Sequence, residues 1–299
     1  MGRGYRFILG GGAPDADGPG GGSVSRADDR VSVWRSVARG VLAAVLAMLA
    51  MPYAVSAKKK PAESRPPSVS FHWAAVPGGD RVIEVYGVNG NIRATHSDSE
   101  TLFVDTVKRG QKSDPDEVRV SAELTGNGAR VCARYPSPSG DLAPCGPDQR
   151  VGDSDVIVDI TLRVPPGASL IARTVNGSIG GVDMQGPVEA TTVNGGIDVV
   201  STHRVVASTV NGTIDVILGP LGWVEPMSYT TTNGSVLLRI PGNADAVIDA
   251  RSAEGRVDCE LTLATTETRD RQHLVGTLGK GGTRLRLETV KGNVEVLPQ

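Results

Sequence analysis

Beyond residue 165 the chain keeps returning to one short pattern, and this recurrence restricts the possible folds more than any other feature. Six segments, LIARTVNGSIGG, VEATTVNGGIDV, VVASTVNGTIDV, MSYTTTNGSVLL, IDARSAEGRVDC and LRLETVKGNVEV, align on the turn glycines Gly177, Gly195, Gly212, Gly234, Gly255 and Gly292. The glycines are separated by 18, 17, 22, 21 and 37 residues. The last interval spans about two periods, with one copy degenerate or replaced by residues 265–282. A period of this length marks a solenoid or an array. A seventh copy, IEVYGVNGNIRA around Gly90, places the same unit near the start of the folded part.

Alternate positions of the unit are apolar. Seven residues before the six C-terminal glycines stand Leu170, Val188, Val205, Met227, Ile248 and Leu285, and two after stand Ile179, Ile197, Ile214, Val236, Val257 and Val294. Each copy is therefore a strand, a tight turn and a second strand sharing one apolar face. Between them, Ala172, Ala190, Ala207 and Ala250 imply a thin core, and a Thr or Ser three residues before each glycine can satisfy turn backbone groups. Two architectures fit: a chain of Asn-Gly hairpins, or coils in which equivalent strands stack in parallel. Glycine is kept where Asn gives way to Glu254 or Lys291, which suits a solenoid corner with one left-handed residue per unit. The expected fold is all-β, a right-handed β-solenoid-like stack of strand-turn-strand repeats of about 17–22 residues.

Ahead of the repeats, strands are expected at residues 81–86, 101–108, 117–123, 129–135 and 155–165, with turns at Asn89-Gly90 and Asn127-Gly128. The folded domain is expected over residues 68–299. Residues 30–57 read as a secretory signal: Arg35 and Arg39 precede an uncharged apolar run at 40–51, followed by Pro52 and small residues ending at Ala57. Cleavage after Ala57 is expected, because this run is too short to span a bilayer. Residues 1–29 read as a non-native or disordered extension and residues 58–67 (KKKPAESRPP) as a solvated linker. After Ala57 the chain carries 25 basic and 29 acidic residues, so nucleic acid is not an expected partner, and no membrane span remains in the mature chain.

Export implies an oxidising compartment, the periplasm or cell surface, and the three cysteines divide accordingly. Cys132 and Cys145 flank a loop containing Pro136, Pro138, Gly140 and Pro144 and are expected to form a disulfide. Cys259 stands where other copies carry Val199, Val216, Leu238 and Val296, so a buried, unpaired thiol is expected.

The repeats, the strand ending in LRVPPG, the VCARYP segment and the closing LGKGGTRLRLETVKGNVEV together resemble the bacterial adhesin-like domain family of unknown function with TVNG-type β repeats. The resemblance covers residues 82–298. It implies an exported β-solenoid-like domain on bacterial envelopes and supplies no catalytic residue.

Catalytic chemistry finds little support. His72, His96, His203 and His273 are scattered, without metal-ligand spacing, and read as surface residues. Residues 276–283 (GTLGKGGT) lack P-loop spacing, and the acidic clusters at 114–117 and 153–155 match no calcium-loop pattern. No cofactor is expected. The leading expectation is a non-enzymatic envelope protein, an adhesin-like binding or scaffold domain whose partner is an envelope protein or a surface polysaccharide. One rival is a carbohydrate-active β-helix enzyme, although Asp198 and Asp215 alternate with core positions and should face solvent. A second rival is a component of an envelope-stress sensor.

Overall fold

Stacking, rather than hairpin pairing, joins the repeats. The computed structural model describes residues 68–147, 149, 151–220 and 224–299; the expected extension, signal segment and linker over residues 1–67 lie outside the described residues. The strand before each turn enters one sheet of 11 strands and the strand after it enters another of 10. In the leading sheet Ser169–Arg173, Val188–Thr191, Val205–Ser208 and Met227–Asn233 run parallel, with Ala172 opposite Ala190, Ala190 opposite Ala207, and Ala207 opposite Tyr229. In the trailing sheet Ile179–Met184, Ile197–Ser201, Ile214–Leu218 and Val236–Ile240 follow the same rule. Equivalent residues lie opposite one another, as an all-β solenoid-like stack requires.

The two apolar faces meet between the sheets. Leu170, Val188, Val205, Met227 and Leu285 from one side, and Ile179, Ile197, Ile214, Val236 and Val294 from the other, are almost completely buried. Only a continuous pile of rungs can bury both faces, because a single unit leaves its apolar surface wet on either side. Tyr229 breaks the small-residue column yet is fully buried, its hydroxyl 3.3 Å from Met227 Sδ.

The spatial order of rungs departs from chain order at both ends. Val82–Tyr86 lies between Gly128–Arg134 and Ser169–Arg173, and Ile92–His96 lies between Ile157–Val164 and Ile179–Met184. At the opposite end the last repeat, Thr283–Lys291 with Val294–Pro298, inserts between Met227–Asn233 with Val236–Ile240 and Ala246–Ser252 with Val257–Cys259. The long interval before Gly292 therefore contains no degenerate rung. It holds Thr265–Arg269 and His273–Leu278, which add antiparallel strands to the outside of Ala246–Ser252. At the other end Arg119–Thr125 pairs antiparallel with Gly128–Arg134 across Gly126-Asn127, while Leu102–Arg109 and Ser68–Ala75 close the trailing sheet. Such antiparallel closures cover edges that would otherwise offer unpaired backbone groups to other chains.

The turn glycines are needed for a different reason from the one their sequence context suggests. Positive φ is found at Gly90, Gly234 and Gly292 but not at Gly177, Gly195, Gly212 or Gly255, so a left-handed residue is not required in every unit. What recurs is a close approach. A Cβ on Gly177, Gly195, Gly212, Gly234, Gly292 or Gly255 would overlap the carbonyl oxygen of the neighbouring rung's turn glycine, and one on Gly90 would overlap that of Val158.

Cys132 and Cys145 are joined, with Cα atoms 5.7 Å apart, and the bond ties residues 136–144 to Gly128–Arg134, the strand next to the edge of the leading sheet. Cys259 is free but half-buried rather than enclosed, because Val257–Cys259 is the terminal strand of its sheet and no further rung stacks upon it. Burial pushes its thiol pKa up.

Two stability predictions follow from this packing. Gly212→Val should cost more than about 3 kcal/mol through forced backbone displacement, whereas Asn211→Ala should cost about 1 kcal/mol; urea midpoints compare them. Equal midpoints would contradict the close-approach explanation. Replacing Cys132 and Cys145 with Ala together should lower stability by about 3 kcal/mol, the entropic contribution of closing a loop of this length.

Candidate functional site

Three polar columns run along the turn edge. Asn176, Asn194, Asn211 and Asn233 each donate from Nδ2 to Oδ1 of the preceding asparagine, starting at Asn89, at 2.8 Å throughout. Beside them the hydroxyls of Thr192, Thr209, Thr231, Thr289 and Ser252 donate to the carbonyls of Gly177, Gly195, Gly212, Gly234 and Gly292 at 2.7–2.9 Å. Thr174 makes the same bond to Gly90 at 3.2 Å. These hydroxyl groups are buried, so each satisfies a carbonyl that the neighbouring rung shields from water.

The third column begins at Asp159, whose carboxylate accepts from the Asn91 amide N–H at 2.9 Å and pairs with Arg109. Asn91 Oδ1 in turn accepts from Ser178 N–H at 2.9 Å. Tyr135 closes this end of the stack, its buried hydroxyl 3.0 Å from the Asn89 carbonyl and 2.9 Å from that of Val156. Desolvation holds the Tyr135 pKa well above the usual phenol value. Along the ladder each asparagine uses one N–H on its neighbour's oxygen. What the edge offers to solvent beside them is a row of partly exposed valines, Val175, Val193 and Val210.

The acidic clusters likewise serve the fold. Asp155 accepts from the backbone N–H groups of Lys112 and Ser113, and these bonds, led by Ser113, hold its carboxyl below the usual range. Asp116 pairs with Lys108 at 3.0 Å, and Asp114 caps the short 3-10 turn Pro115–Glu117. Asp198 and Asp215 lie opposite each other on the outer face of the trailing sheet. Asp215 is engaged by Arg239 at 2.6 Å, while desolvation and then Asp215 push the Asp198 pKa up.

A cavity of about 620 Å³ opens at the opposite corner, where chains leave the trailing sheet. Its lining combines the apolar Met184, Val200 and Pro220 with His96, Asp183 and His203. Two histidines far apart in sequence thus share one site, which sequence spacing could not reveal. Thr202 Oγ1 lies 3.1 Å from His203 Nδ1, and His96 Nε2 lies 3.3 Å from Asp98. The lining is shaped by a bulge: Val199 faces Gly181 but Ser201 faces Met184, so Ile179–Met184 carries one extra residue. Asp183 occupies the left-handed region at φ 53°, and consecutive Val182 and Asp183 both face outward. The turn-glycine spacing of 18 preceding one of 17 is the sequence trace of this insertion.

These features define an all-β domain of two stacked sheets with solenoid-like rungs, laddered along one edge and notched at the other corner. Residues 177–297 match the family model described as Toastrack DUF4097. The match is narrower than the resemblance over residues 82–298, although the rung around Gly90 is stacked in the same manner. Among solved structures, the chain is similar to a candidate cell adhesion protein from Clostridium sporogenes ATCC 15579, at 8% identity over 78% of this chain and 100% of that one, with a TM-score of 0.39. It is also similar to a candidate adhesin from Bacteroides fragilis NCTC 9343, at 10% identity over 78% and 99%, with a TM-score of 0.29. A candidate lipid binding protein from Parabacteroides distasonis ATCC 8503 matches at 11% identity over 79% and 98%, with a TM-score of 0.30. Likenesses of this depth carry no weight for function. No curated protein matches the chain.

The Asp159 column predicts acid sensitivity. Burial alone would raise its pKa, but the Asn91 amide and the Arg109 guanidinium outweigh burial and hold it below the unfolded value of about 3.9. A depressed folded pKa contributes stability that is present above about pH 4 and is lost as pH falls through the folded value. Asp159→Asn should flatten the decline of stability with pH below about 4, measured by urea midpoints. An unchanged slope would assign the acid sensitivity elsewhere.

Proposed function

We propose that the chain is an exported, non-enzymatic protein of the bacterial envelope whose solenoid serves as an adhesin-like binding or scaffold domain. The observation that carries this reading is the Cys132–Cys145 disulfide, since such bonds persist in oxidising compartments. The signal-like order of residues 30–57 agrees with it. A scaffold role is supported by the way the polar repeat is used: Asn and Thr columns hold rungs together and keep long, regular faces rigid. Repeat stacks typically bind through such extended surfaces. Its partner is an envelope protein or a surface polysaccharide.

Expression of the full chain in a bacterial host followed by fractionation tests the proposal. The mature protein should leave the cytoplasm, begin at Lys58, and yield a Cys132–Cys145 cross-linked peptide under non-reducing conditions. A cytoplasmic protein with an intact N-terminus and reduced Cys132 would overturn it.

A further inference from the structure

The cavity at the exit corner of the trailing sheet combines features that the stack itself does not need. Neighbouring rungs pass this corner without the extra residue carried by Ile179–Met184, and Val236–Ile240 pairs with Ile214–Leu218 without a shift. The bulge instead brings Asp183 into a left-handed backbone conformation in the lining of the cavity. Asp tolerates this region better than most residues but still pays for it, and Gly would fit without penalty. Bulges and isolated backbone outliers of this sort concentrate where a side chain is being aimed at a ligand. Asp183 also makes no ion pair among the described residues, unlike Asp159, Asp215 or Asp249.

The chemistry around it is divided. Val200 and Pro220 give the lining an accessible apolar part, next to the buried Met184. His96 and His203 also line it, and each imidazole can accept or donate according to its tautomer. The carboxylate of Asp183 only accepts. A volume of about 620 Å³ is in the range that holds small organic ligands. A pyranose ring fits this division: its C–H face covers apolar surface while the hydroxyls at its edge both donate and accept. A purely apolar ligand would leave Asp183 and the histidines desolvated without partners, which is costly.

We propose that this cavity is a saccharide-binding subsite, with Val200 and Pro220 receiving the face of a sugar ring and His96, Asp183 and His203 its hydroxyls. The inference rests on the envelope-binding reading above and narrows its partner to a carbohydrate.

Calorimetric titration of the full mature chain with maltose, cellobiose and chitobiose tests it, alongside three variants. At least one disaccharide should bind. Asp183→Gly, which suits the φ of that position and should leave thermal stability unchanged or higher, should weaken binding about tenfold, the worth of one hydrogen bond to a charged group. His203→Ala should weaken it similarly, and Val200→Trp should abolish it by filling the cavity. Binding that survives all three variants would place the sugar elsewhere and overturn the inference while leaving the envelope-binding reading intact. Absence of binding by the unaltered chain would overturn the inference as well. The envelope reading is decided separately by fractionation, so the two failures are distinguishable.

Discussion

From the rung at Gly90 onward, each rung is tied to the next through the carbonyl of a turn glycine. That oxygen points to where the neighbouring rung's glycine would carry a Cβ, and it accepts a hydroxyl proton from that rung's Thr or Ser. The two requirements are linked: only a residue without a side chain lets the backbones approach, and the approach shuts water away from the carbonyl. A buried, unsatisfied carbonyl would cost about 1–3 kcal/mol at each turn. The hydroxyl is thus as obligatory as the glycine, and Ser252 meets the need where Thr is absent. Asparagine, by contrast, is replaced by Glu254 and Lys291 without disturbing the approach.

Much of the fold could be read from the sequence because solenoid rungs are local. Alternating apolar positions identified the strands, and the columns Leu170-Val188-Val205 and Ile179-Ile197-Ile214 stack in the register that the alignment implies. The left-handed φ expected of the turn glycines holds at Gly90, Gly234 and Gly292, but at Gly177, Gly195, Gly212 and Gly255 the close approach alone requires glycine. A residue retained against changing neighbours signals that glycine is needed, but a sequence cannot distinguish a left-handed φ from a neighbouring backbone pressed against its Cα. The order of rungs was also hidden, since parallel stacking makes any two copies compatible neighbours.

The cavity was legible only in part. Its bulge is written as one extra residue between turn glycines, a signal that looks like ordinary variation until registers are known. His96 and His203 come from rungs separated by the long excursion through residues 97–164 and meet only because the first rung slots in beside Ile179–Met184. Asp198 and Asp215 show the converse: conspicuous in the repeat, they stand on the outer face of a sheet, and one of them is already neutralised by Arg239.

The interleaved rungs at the C-terminal end have a consequence for how the chain is made. A polypeptide that emerges amino-terminus first presents Ala246–Ser252 and its antiparallel companions before Thr283–Lys291, yet the later strand must lie inside the earlier one. Rungs cannot simply be laid down in order of synthesis. Either Ala246–Ser252 waits undocked, or it pairs for a time with Met227–Asn233 and must be prised away. The final repeat is a keystone rather than a capstone: unlike the terminal unit of an ordinary repeat array, it is the pair of strands through which residues 246–278 join the stack.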